Sequence, residues 1–112
     1  MLGIFERIAG GSSASGGPPT HVIALKWNAF TRAERDEYLA LESPLRNSGV
    51  ADLHFDNVEC GARDVVFWLH TSNPKRAFKE LTKLPFIAEH LDKLQAACAA
   101  RDKLKFSPLW PK

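Results

Sequence analysis

From residue 21 onward, apolar positions recur with a period of two in some stretches and of three to four in others, so strands and helices alternate along the chain. In His21–Asn28 (HVIALKWN), Ile23, Leu25 and Trp27 fall on one face, and Val22, Ala24 and Lys26 on the other. Thr31 and Glu34 then have the T-x-x-E spacing of a capping box, in which hydroxyl and carboxylate satisfy free N–H groups at a helix start. Tyr38, Leu41 and Leu45 continue at helical steps, and Asn47, Ser48 and Gly49 mark the helix end. A second strand is predicted from Val50 to about Glu59, with Leu53 and Phe55 opposite Asp52, His54 and Asp56. A turn at Cys60 and Gly61 leads into a third, Arg63–His70, where Val65, Phe67 and Leu69 oppose Val66, Trp68 and His70. Asn73 and Pro74 open the second helix, Phe78 and Leu81 bury it, and Pro85 kinks or restarts it. Ile87, Leu91, Leu94 and Cys98 then read as a core-facing helical stripe. Lys103–Phe106 alternates as a fourth strand, which Pro108 and Pro111 stop.

This order, βαββαβ, predicts an α+β chain of the ferredoxin-like plait class: a four-stranded antiparallel sheet with two helices on one face. The core is then Ile23, Leu25, Trp27, Leu53, Phe55, Val65, Phe67, Leu69, Leu104 and Phe106. The helix-free face collects Lys26, Asp52, His54, Asp56, Trp68, His70, Lys103 and Lys105. An exposed Trp68 ringed by Asp52, His54, Asp56, Lys26 and His70 has the composition of an interface anchor, which makes these six residues the candidate partner-binding site.

At 112 residues the chain suffices for one hydrophobic core. The expected organisation is a flexible tail and linker over residues 1–20 followed by one domain over 21–112. In the tail, Leu2, Ile4, Phe5 and Ile8 lie within MLGIFERIA, and GGSSASGGPP has linker composition. Glu6 and Arg7 interrupt the apolar run too early for an export signal, and no stretch approaches the roughly 20 apolar residues of a membrane span. The net charge of +2 divides into −3 for residues 1–60 and +5 for residues 61–112, a balance too mild for unspecific phosphate binding. Cys60 and Cys98 form neither a disulfide framework nor a metal spacing, so a reducing, cytoplasmic setting is expected, with no cofactor.

The segment HVIALKW followed by a helix of the type TRAERDEY resembles the stress-responsive dimeric α/β-barrel domains. The resemblance implies a homodimer closed through the open sheet faces, an apolar pocket near His21 and, in members with cyclase activity, a His on the first strand working with a His-Pro-x-His motif. His21 matches the first element. The second reads Leu84, Pro85, Phe86 and Ile87, which keeps the proline and replaces both histidines by apolar residues. A lone imidazole lacks the partner and the orienting group that proton transfer uses, so catalysis would rest on His21 alone.

Other chemistries are weighed by spacing. Asp52, His54, Asp56 and His70 have metal-ligand types, but alternate residues of one strand stand about 6–7 Å apart, too wide for one ion. Trp68 beside Lys26 and Lys105 suggests the stacking platform of RNA-binding plaits, yet Arg63–Trp68 lacks that platform's Gly and spaced aromatics, and nearby carboxylates repel phosphate. Lys75, Arg76, Lys79 and Lys83 read as the wet side of a helix, His90 as exposed, and Cys98 as a small core residue. The leading expectation is a non-catalytic protein acting by protein–protein interaction, of the immunity, inhibitor or regulatory type. Its partner is another protein or a second copy through the sheet face, and a small apolar ligand is compatible. A dimeric-barrel enzyme centred on His21 and an RNA-binding plait are the alternatives.

Overall fold

A computed structural model describes residues 20–103 and 105–111. Its five strands are β1 (His21–Asn28), β2 (His54–Cys60), β3 (Asp64–Thr71), β4 (Leu94–Ala100) and β5 (Ser107–Trp110). They form one sheet in the order β2-β3-β1-β4-β5, every neighbouring pair antiparallel. The chain is thus α+β, with β1 at the centre of an open antiparallel sheet.

Four short helices and a 3₁₀ turn connect the strands. Helix α1 (Arg32–Leu39) starts at the predicted capping box: Glu34 N–H donates to Thr31 Oγ1 at 3.1 Å and Thr31 N–H to Glu34 Oε1 at 3.1 Å. Glu34 also accepts from Phe30 N–H, the first of the bonds that hold its carboxyl below the usual range. Helix α2 (Glu42–Arg46) ends before Gly49, whose φ of +75° lets the chain turn toward β2. Asn73 caps α3 (Pro74–Leu81) by accepting from Arg76 N–H at 3.2 Å. Pro85 begins a separate α4 (Pro85–Ala88), and the 3₁₀ turn Leu91–Lys93 delivers the chain to β4.

One face of the sheet meets all of these helices. Ile23, Leu25 and Trp27 of β1, Val65, Phe67 and Leu69 of β3, and Leu94 and Ala96 of β4 are buried with Tyr38, Leu45, Phe78, Leu81 and Ile87. Trp27 organises this core. Its ring stacks on Tyr38 at 5.5 Å, meets Phe67 edge-on at 5.9 Å, and donates from Nε1 to His90 O at 2.8 Å. Leu53 and Phe55 pack against the same core, as the alternation predicts.

Several expectations need correction. The sheet has five strands, not four, and the helical layer is broken into short pieces rather than two helices. β2 begins at His54, because residues 50–53 form the turn that precedes it. The stripe expected as helix through Leu94 and Cys98 is strand β4. Its alanines favour a helix intrinsically, by less than a kcal/mol each, whereas a helical segment there would leave the apolar β1 unpaired on one side. As a strand, Leu94, Ala96 and Cys98 keep their apolar side toward the core. Lys103, Lys105 and Phe106 lie in no strand, and the last strand includes Pro108. β5 lies at the sheet edge, where a residue without an N–H is tolerated. Phe106 packs on the opposite face from its expected core position. Leu104, and residues 1–19 of the tail expected over residues 1–20, lie outside the described residues.

Candidate functional site: the helix-free sheet face

Directly paired residues in an antiparallel sheet share a face. Val22 pairs with His70 and Ala99, Ala24 with Trp68 and Ala97, and Lys26 with Val66 and Gln95. These residues make up the face that no helix covers, so the sequence alternation assigns Trp68 and Phe67 to the correct sides.

The environment of Trp68 differs from the expected one. It is only 9% exposed. Its ring meets Phe106 edge-on at 6.1 Å, and its Nε1 donates to Glu59 of β2. With Val22 and Ala99 it forms a second apolar cluster, against which Ala24, Val66 and Phe106 pack. Phe106 therefore covers one half of the helix-free face. The small side chains of Ala97 and Ala99 leave the room for it.

The other half is an open groove of about 430 Å³. Ala24, Val66 and Ala97 line its floor, the Trp68–Phe106 pair forms one wall, and Pro108 and Trp110 of β5 contribute another. Lys26, Asp64 and Gln95 supply its polar groups, with Lys26 Nζ 3.8 Å from Asp64 Oδ2. Lys26 thus pairs with Asp64 of the neighbouring strand rather than with Asp52 or Asp56. Phe106, Ala97, Pro108 and Trp110 were not among the residues expected at the site. The period-two spacing of Ala97 and Ala99 signals the first half of this arrangement once β4 is read as a strand.

The remaining candidates scatter. His70 is buried, and its Nε2 lies 3.6 Å from Asp56 Oδ2, while Asp56 occupies the bulge that breaks the β2–β3 register between Phe55 and Asn57. His54, across from His70, is exposed. Asp52 belongs to the turn before β2 rather than to a strand. Its φ of 58° is the left-handed conformation that Asp tolerates, and its Oδ2 accepts from Ser72 N–H at 3.0 Å, Ser72 Oγ–H and Thr71 Oγ1–H. The Ser72 hydroxyl, first among these donors, holds the carboxyl below its usual value. Thr71 Oγ1 accepts in turn from Asn73 N–H at 3.1 Å, so Asp52 ties the end of β3 and the cap of α3 to the turn. Lys103 and Lys105 are exposed in the connection rather than on a strand.

His21 Nδ1 and Thr20 Oγ1 share a hydrogen bond at 2.8 Å at the start of β1. The segment Leu84–Ile87 runs into His90, whose carbonyl receives Trp27 at the other end of β1, six strand residues and about 20 Å away. No second imidazole is thereby brought to His21 from the segment that carries Pro85. Among the described residues no group of three or more His, Cys, Asp and Glu side chains lies together as a metal site, and no helix is long and apolar enough to cross a membrane. Comparison of the chain with protein-family models, curated proteins and solved structures finds no match.

Proposed function

We propose that this chain is a ferredoxin-like plait extended by a fifth strand, and that it works by binding another protein in the groove on its helix-free face. The observation that carries this reading is the groove's construction: an apolar floor of small residues, an aromatic wall held upright by the Trp68–Glu59 bond, and the Lys26–Asp64 pair at the rim. An apolar centre with a polar rim is the anatomy of a protein-binding patch. About 430 Å³ accommodates one or two large apolar side chains of a partner.

Two features favour this groove over other modes of association. Both sheet edges are blunted, β2 by its bulge and its acidic Asp56 and Glu59, β5 by Pro108 and the following Pro111, so addition of a partner strand is disfavoured. Phe106 already covers the Trp68 half of the face. A second copy would thus find only the groove half of this face open to it.

The test places a photo-crosslinking side chain at position 66, on the groove floor, or at Ala33, on an exposed turn of α1, and compares each chain with the same chain carrying Ala97→Glu. A protein crosslinked from position 66, absent from position 33 and lost on Ala97→Glu with the melting temperature retained, supports the reading. The same proteins recovered with and without Ala97→Glu would overturn it.

A further inference from the structure

A second groove lies between α3 and β5. Its volume is about 830 Å³, within the range of small-molecule sites. Phe78, Leu91 and Leu109 provide apolar lining, and Trp110 is fixed beside them by donation from Nε1 to Leu91 O at 2.8 Å. The stripe of α3 that lines this groove carries Lys75, Phe78, Lys79 and Thr82. Two positions one helical turn apart, where a helix lying against a sheet is ordinarily apolar, are therefore ammonium groups.

We propose that this groove binds a single-chain carboxylate amphiphile of the fatty-acid class, its apolar chain against Phe78, Leu91 and Leu109 and its carboxylate between Lys75 and Lys79. The inference is independent of the sheet-face reading. Charge complementarity selects the head group: one carboxylate can accept charge-assisted bonds from two ammonium groups a turn apart. Among the other charges of α3, Arg76 adds a positive charge, and the Glu80 carboxylate is engaged by Lys83 Nζ at 3.0 Å. Lys75 lines the groove at its α3 side. Its charge acts on Cys98 of β4, opposing the upward push that burial gives that thiol. The edge strand selects the tail, because Pro108 and Pro111 lack the N–H groups that an extended peptide would use for pairing, whereas an alkyl chain requires none.

The full chain is titrated with sodium decanoate, and separately with decanol, by calorimetry and by ¹H–¹⁵N spectra. Saturable one-to-one binding of decanoate is expected, with the Phe78, Thr82 and Leu91 amide resonances shifting and the indole resonance of the buried Trp27 unmoved. Decanol should bind about tenfold more weakly, and Lys75→Glu/Lys79→Glu should lower decanoate affinity by at least about tenfold while the melting temperature stays unchanged. Absence of saturable binding, equal affinity for decanoate and decanol, or full affinity in the charge-reversed chain would each overturn the assignment. So would shifts confined to Ala24, Val66 and Ala97, which would place the amphiphile in the other groove. Ala97→Glu is expected to leave decanoate binding intact, which separates failure of this site from failure of the sheet-face reading.

Discussion

Whether Phe106 holds its place over Trp68 decides how much of the sheet face is open, and a double-mutant cycle measures it. Trp68 is 9% exposed, so it withdraws on the order of 200 Å² from water. At about 25 cal/mol per Å² that corresponds to about 5 kcal/mol, an upper figure because denatured chains already bury part of this area. Trp68→Ala should therefore cost about 3–4 kcal/mol, a large part of the stability of a domain this size. Trp68→Leu is the better arm. It keeps most of the apolar volume while removing the ring and the donor to Glu59, for about 2 kcal/mol.

Phe106→Ala removes a half-buried ring and should cost about 1–2 kcal/mol. If the rings meet edge-on as described, the double variant should lose less than the sum of the singles by about 1 kcal/mol. Urea unfolding at constant slope gives all three values. Additivity within about 0.3 kcal/mol would refute the contact and expose the whole face. A dimer formed by Phe106→Ala but not by the parent chain, seen by sedimentation, would identify this ring as the element that keeps two copies apart.

Three further outcomes follow from particular contacts. Asp52→Asn keeps the left-handed backbone but removes the charge that three donors share; because folding lowers this carboxyl's pKa, its contribution is fully present above the unfolded value of about 3.9 and is lost as pH falls through the lower folded value. The variant should thus be less stable by about 1 kcal/mol at pH 7, and the gap should close in urea titrations below about pH 4; a gap independent of pH would show that charge is not involved. Thr31→Ala, which removes the α1 cap, should cost about 1 kcal/mol and Thr31→Ser very little, as read by thermal melting, and equal losses in both would argue against capping. Cys60 is exposed whereas the Cys98 thiol is pushed up by burial, so Cys60 should react first with a disulfide reagent at pH 8, and equal rates for the two thiols would contradict the β4 placement.

The elements whose signals are local were legible in the sequence. The Thr31–Glu34 box, the Asn73–Pro74 entry and the alternation in β1 and β3 each follow from side-chain chemistry within four residues, and each is present. Leu94–Ala100 was not legible, since helical and alternating readings of an alanine-rich run place similar side chains inside. The choice depends on the unpaired edge of β1, more than 65 residues away in sequence. The same non-local cause governs the site. Alternation assigns Trp68 to the helix-free face, but its cover, Phe106, comes from a connection that alternates like a strand. Asp52 and Asp56 left the expected row for a further reason: one lies in a left-handed turn and the other at a bulge, and either feature breaks the period of two on which the row was built.

The two grooves share a boundary, and this links the fold to what it can bind. Pro108 and Trp110 contribute to both, so β5 is a four-residue partition between the sheet face and the α3 side. It is held to β4 by a register with one irregularity, and to the 3₁₀ turn by the Trp110–Leu91 bond. A strand with so few bonds opens at lower free energy than the centre of the sheet. Displacing it would merge the grooves and also move Phe106, its immediate predecessor, away from Trp68. An occupant of either groove that packs on Pro108 or Trp110 therefore stabilises the partition and raises the protection of β5 amides against exchange. Because one strand serves as a wall for both, an occupant on one side favours the closed form for the other, and the coupling is bounded by the opening free energy of β5 itself.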